Sequence, residues 1–154
     1  DLGVREVGLS CTLSLRLEKS YGIWSAEYSQ SYTAAETGLD RWIDWGKADF
    51  IGRDAAIKER DRTGRARRLV TLEIDAIDAD ASGYEPVWQN GKGVGFITSG
   101  GYGHTVGKAL AIALVEKEAS AVGTALNVHI VGTEVSARVI APSPYDPEGK
   151  RMRA

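Results

Sequence analysis

The sequence predicts an α+β chain, in which a short helical and mixed α+β segment precedes a C-terminal antiparallel six-stranded β-barrel. Three observations carry this expectation. Up to residue 65 the apolar positions recur in short helical bursts, as with Leu13 and Leu17, four apart on one face. After Arg68 the period changes to two: Val70, Leu72 and Ile74 alternate with Thr71, Glu73 and Asp75, the pattern of a half-buried strand. Some six such runs follow at short spacing to about residue 141, joined by turns, as in small antiparallel barrels and sandwiches. Residues 1–65 and 66–154 are therefore expected to form separate units.

Taken in order, Ser10 is expected to cap a helix through Glu18, because a serine oxygen can accept from the free N–H groups of a first turn. Residues 21–32 carry Tyr21, Trp24, Tyr28 and Tyr32 and read as extended chain and loop. A short helix around Ala34 to Leu39 leads to Trp42 and Ile43, expected in the core, and to Trp45 beside a turn at Gly46. Asp49 to Arg62 reads as helix, with Gly64 as its stop. Five arginines between Arg60 and Arg68 fit an anion-binding patch or a solvated helix end; the interleaved Glu59 and Asp61 favour the second. Val87-Trp88-Gln89 meets Asn90-Gly91, a hairpin turn whose residues tolerate positive φ, and Val94 to Thr98 returns. Lys108 to Val115 sets Leu110, Ile112 and Leu114 on one face and small alanines on the other. Leu126, Val128 and Ile130 alternate with Asn127 and His129; a Gly132-Thr133 turn then precedes Val135, Ala137 and Val139. The tail from Pro142 is irregular.

Composition narrows the function classes. With 154 residues, 43% hydrophobic and 26% charged, the chain has ordinary globular composition. Nineteen Lys and Arg against twenty-one Asp and Glu give a net charge of -2, too even for nucleic acid or an anionic membrane as the main partner. The longest apolar run, Ala109 to Val115, is far short of the ~20 residues of a membrane helix. A single cysteine, Cys11, excludes an internal disulfide and a multi-cysteine zinc site, fits a reducing compartment, and is expected in the core. The first residue is Asp1 rather than Met, so a processed chain or a piece of a longer one is expected.

Few residues suggest chemistry by spacing. His104 lies on a glycine-rich turn and His129 within a strand, on its solvent side, with no i,i+4 partner or nearby cysteine, so no metal-ligand set is expected. Seven glycines between Gly91 and Gly107 lack phosphate-loop spacing and read as hairpin and corner residues. No GxSxG elbow is present, and no spacing picks out a Ser-His-carboxylate set. No catalytic residue is assigned.

An ordered set of phrases is more specific. Leu15-Arg16-Leu17-Glu18-Lys19 is followed by Trp24, by Glu36-x-Gly38-Leu39 and by Asp49-Phe50-Ile51-Gly52-Arg53. Gly95-Phe96-Ile97-Thr98-Ser99-Gly100 and Pro144-Tyr145-Asp146-Pro147 complete the set. From about Leu9 to Arg153 the chain resembles the C-terminal part of the aminomethyltransferase (glycine-cleavage T-protein) superfamily. It is most similar to the branch fused to flavin-dependent dimethylglycine and sarcosine dehydrogenases.

The resemblance implies that residues 1–65 end a folate-binding aminomethyltransferase domain and that 66–154 form its C-terminal barrel with tail. It implies one-carbon transfer from N-methylated amines or amino acids to tetrahydrofolate, with FAD only in an upstream domain of a parent protein. The implied partners are folate and those upstream domains. A chain lacking its partner lobe would self-associate through exposed apolar surface. The implied location is the cytoplasm, or the mitochondrial matrix in a eukaryote.

Residue by residue, Tyr145 matches the family's tail aromatic at the folate, where a ring stacks and a hydroxyl hydrogen-bonds; pinning the tail is the other role open to it. Trp24 matches a tryptophan of the dehydrogenase branch, as a wall of the folate channel or as core packing. Arg16 and Glu18 are expected to pair their helix with its neighbour. Thr12 and Leu13 stand where the glycine-cleavage branch carries an Arg-Asp pair, which favours the dehydrogenase-type branch. No segment matches the family's upstream aspartate or its pterin-gripping glutamate, so the chain alone is expected to be inactive. A folate-binding or structural module without transfer, and a sulfonium demethylase on the same scaffold, are the alternatives.

Overall fold

Period-two strands, two of their hairpins closed by two-residue turns, build the C-terminal part of the chain. The computed structural model describes residues 3–62, 66–76, 78–151 and 153. Among them, β1 (Arg67–Ile74), β2 (Pro86–Gln89), β3 (Lys92–Gly103), β4 (Lys108–Glu116), β5 (Ala125–Ile130) and β6 (Thr133–Ile140) close a barrel. Its order is β1-β4-β3-β2-β5-β6, and every pairing is antiparallel. The α+β class and the six-stranded antiparallel barrel are as the sequence predicts.

Leu72 and Ile74 of β1 fill the barrel interior with Val87, Ile97, Val128 and Val139. β4 is apolar on both faces and buried on both. Its Ala109, Ala111 and Ala113 join the interior cluster, where small side chains suit a narrow lumen. Leu110 and Ile112 face outward instead, against Leu17.

What covers that outer side is the N-terminal segment. Helix α1 (Leu9–Glu18) lays Leu17 over Leu110 and Ile112. Ser99, Ile112, Thr71 and Ile140 are register partners across β3, β4, β1 and β6, so they share one face. The Thr71 hydroxyl donates to Ser20 Oγ at 2.7 Å, and the Ser99 hydroxyl donates to Glu27. Helix α2 (Ala34–Thr37) starts on a capping box. The Glu36 N–H donates to Thr33 Oγ1 at 3.3 Å, and the Thr33 N–H donates to Glu36 Oε2 at 3.0 Å. Glu36 Oε1 accepts from Arg67 Nε at 3.0 Å, which ties α2 to β1. A 3-10 turn (Leu39–Trp42) and helix α3 (Arg53–Arg60) follow.

Several local expectations change. Gly8, not Ser10, stands at the N-cap of α1, and no side chain caps it. Cys11 is exposed rather than in the core; at ~100° per residue it lies well round the helix from Leu17. Trp42 is 77% exposed and Ile43 half-buried. Gly38, at φ 72°, redirects the chain into the 3-10 turn and leaves Trp42 outside. Helix α3 starts at Arg53 rather than Asp49, because Gly52 at φ 86° interrupts the backbone. Its expected stop, Gly64, lies outside the described residues.

The arginines behave as a solvated helix end. Arg60 donates to Asp61 at 2.8 Å and lies over the Trp45 ring, while Arg62 pairs with Glu59 at 3.6 Å. Arg65 lies outside the described residues. Two glycines of the run are required by close backbone approach: a Cβ at Gly95 would overlap Leu114, and one at Gly100 would overlap Ala81; Gly91 and Gly107 are turn residues at positive φ.

Candidate functional site

Helix α1 ends in carbonyls that have no partner within the helix, and the C-terminal tail supplies donors. The Tyr145 N–H donates to the Glu18 carbonyl at 3.0 Å. Ser143 donates its hydroxyl to the Lys19 carbonyl at 2.7 Å and its N–H to Ser20 Oγ at 2.8 Å. In return, Lys19 Nζ donates to the carbonyls of Tyr145 at 3.2 Å and Asp146 at 2.6 Å. The tail is therefore stitched to the helix end in both directions.

Beyond Tyr145 the tail folds back. Asp146 sits at φ 44°, a conformation aspartate tolerates better than most residues. Its carboxylate accepts from the N–H groups of Lys150 at 2.9 Å and Arg151 at 3.2 Å. This brings the Arg151 guanidinium to the Tyr145 hydroxyl, to which it donates at 3.3 Å, and over the ring, 5.9 Å from its centre. Because the hydroxyl oxygen accepts, its own proton remains free to be donated.

Trp24 is positioned by a buried network. Glu27 is fully buried; it accepts from the Ile23 N–H at 2.8 Å, from Arg16 at 3.3 Å and from Ser99. Those bonds close the turn that carries Trp24, a residue 72% exposed. Core packing is thus not its role. Gly22 is needed beside this turn, since a Cβ there would overlap Glu27 and Tyr28. Arg16 also donates to the Tyr21 carbonyl at 3.1 Å. Glu18, buried in turn, accepts from the N–H groups of Thr105 at 2.5 Å and Val106 at 3.1 Å. Both residues pair α1 with its neighbours, as expected.

Trp24 and Tyr145 both depend on the C-terminal part of α1, through Arg16 and Glu27 for the one and the Glu18 carbonyl for the other. Sequence reasoning missed Lys19, Arg151, Glu27 and Ser99. Arg151 left a signal, a cation shortly after the tail tyrosine; Glu27 left none. Thr12 is exposed and Leu13 half-buried on the early turns of α1.

On the barrel flank, burial above all, with Tyr84 second, raises the Tyr32 phenol. The hydrogen bond to Glu73 raises the Lys108 ammonium. His129 lies on the outside against Trp88 and 3.5 Å from Glu134, while His104 meets Tyr102 edge-on. Among the described residues no three His, Cys, Asp or Glu side chains gather to hold a metal, and no helix is long and apolar enough to cross a membrane.

Comparison with known proteins matches residues 67–146 to the glycine cleavage T-protein C-terminal barrel domain. Over 139 residues the chain is 38% identical to the mitochondrial dimethylglycine dehydrogenase of Rattus norvegicus, covering 90% of this chain and 16% of that protein. It is 40% identical over 144 residues to an aminomethyltransferase of Rippkaea orientalis, covering 93% of this chain and 38% of the relative. The glycine cleavage system aminomethyltransferase T of Bartonella henselae shares the fold with a TM-score of 0.82. Its sequence identity is 22%, over 92% of this chain and 40% of that one. The chain therefore spans well under half the length of these relatives. It belongs to the family of the glycine cleavage T-protein C-terminal barrel domain, homologous to the corresponding regions of aminomethyltransferases and dimethylglycine dehydrogenases.

Proposed function

We propose that the chain is the C-terminal part of a tetrahydrofolate-dependent aminomethyltransferase-like enzyme that takes a one-carbon unit from N-methylated amines or amino acids. The observation that carries this reading is the 38% identity to dimethylglycine dehydrogenase across 90% of the chain. The departure at Thr12 and Leu13 supports the dehydrogenase-type branch, with FAD in an upstream domain. In this reading residues 1–65 end the folate-binding domain and 66–154 form its barrel and tail.

The residues present fit a reduced folate. Trp24 offers an open aromatic face, Tyr145 a ring with a free hydroxyl proton, and Arg151 a guanidinium suited to a carboxylate. When bound, the folate would supply the amine that accepts the one-carbon unit. The chain's own residues orient it: the stitches from Lys19 and Ser143 hold the tail, and Glu27 holds the Trp24 turn. Such orientation is the protein's main contribution where a cofactor carries the carbon. The chain alone is inactive in this account. Its partners are folate and upstream domains, and by itself it self-associates. Three mitochondrial relatives support the matrix as its location if it is eukaryotic, and the cytoplasm otherwise.

Calorimetric titration with 5-formyltetrahydrofolate tests the reading. Wild-type chain is expected to bind saturably and Tyr145→Phe about tenfold more weakly, the cost of one hydrogen bond in a polar site. Binding unchanged by the variant removes Tyr145 from the site; absence of binding to a longer chain carrying the upstream lobes contradicts the folate reading itself.

A further inference from the structure

The N-terminal layer does not fill all the space above the barrel. Between them lies a cavity of about 260 Å³ with two unlike walls. One is aliphatic, built by Leu69, Ile112 and Ile140 on the outer side of the barrel. Facing it are Tyr28 and Arg41, from the turn after α1 and the 3-10 turn after α2.

These two polar side chains are uncommitted. The Tyr28 hydroxyl makes no hydrogen bond among the described residues. Arg41 has no carboxylate within 4.0 Å among them, and its guanidinium only lies over the adjacent Trp42 ring, 5.5 Å from the centre. Two other arginines against the barrel are paired: Arg16 with Glu27 and Arg67 with Glu36. An unpaired guanidinium and a free phenol opposite an aliphatic wall match a ligand with an apolar body and an anionic head.

We propose that this cavity is a binding site for a small aliphatic carboxylate, separate from the tail site and independent of the folate reading. The carboxylate is held by Arg41 and Tyr28, and its chain lies along Leu69, Ile112 and Ile140. At roughly 30 Å³ for each water-sized group, the cavity takes an acid of about six carbons. Charge-assisted bonds to a guanidinium supply most of the selectivity.

The test uses hexanoate with the whole chain, followed by methyl NMR. Hexanoate is expected to bind saturably and to shift the Leu69, Ile112 and Ile140 methyls, whereas hexan-1-ol at equal concentration binds at least tenfold more weakly. Arg41→Gln, an exposed position, should weaken hexanoate about tenfold or more, with partial recovery in Arg41→Lys. Equal binding of acid and alcohol overturns the proposal, as do an unaffected Arg41→Gln or methyl shifts confined to other surfaces. Displacement of hexanoate by 5-formyltetrahydrofolate overturns the separateness of the sites; failure of hexanoate to bind overturns the proposal and leaves the folate titration untouched.

Discussion

Glu27 is the residue on which the candidate site most depends. It is a fully buried carboxylate whose partners come from α1, from its own turn and from β3. Removing one member of a buried ion pair strands the other charge, so Glu27→Ala should cost about 3–5 kcal/mol in urea unfolding. The double change Arg16→Met with Glu27→Leu should recover much of that loss, because a well-packed apolar pair needs no desolvation of charge. A Glu27→Ala chain as stable as wild type would show that the network is not structural. None of this was legible in the sequence. A single glutamate in a polar, aromatic-rich loop looks solvated, and only the pairing of Ser99 with Ile112 places a hydroxyl opposite it. Tyr145 and Trp24 became visible only through the order of the phrases around them, since neither has a spacing of its own.

Among the elements, the strands were the most readable and the turns the least. Alternation located each strand because one barrel face excludes water. It left β3 short, since two register shifts along that strand disturb the period. Asn90-Gly91 was plain because both residues suit positive φ. The β5–β6 turn was expected one residue late, at Gly132-Thr133; it is Val131, at φ 49°, that precedes Gly132 there. A β-branched residue is disfavoured in that conformation, and Val131 is 84% exposed, so no packing compensates it. Val131→Asn is therefore expected to stabilise the chain by about 1 kcal/mol, read as a higher urea midpoint at unchanged slope. A lower midpoint would mean that the valine side chain makes a contact worth more than its strain. Helix starts were misjudged because glycines stand at the caps, where serine or aspartate would have announced them; at Gly52 a positive φ sets the start, while Gly8 is ordinary extended chain.

At the scale of the molecule, barrel, N-terminal layer and tail form a connected body, with an open aromatic turn after the end of α1. Leu9 and Leu15 are exposed on that helix, and Trp24 lies close after it in the chain. Sedimentation of the chain alone should show concentration-dependent association, reduced in Leu15→Ser with Trp24→Ser; a strict monomer at high concentration would contradict an uncovered interface there. The barrel was foreseeable from periodicity; the packing of the N-terminal layer on its outer face was not. That the tail caps α1 was not, because the bonds join residues more than a hundred positions apart through backbone groups that any sequence carries. The central claim is that this junction holds a reduced folate. Amide hydrogen exchange with and without saturating 5-formyltetrahydrofolate tests it most directly. The account predicts slowed exchange in residues 19–27 and 143–151 together, with the β5–β6 hairpin unchanged. Protection confined to the barrel, or none under conditions where binding is measured, would contradict it.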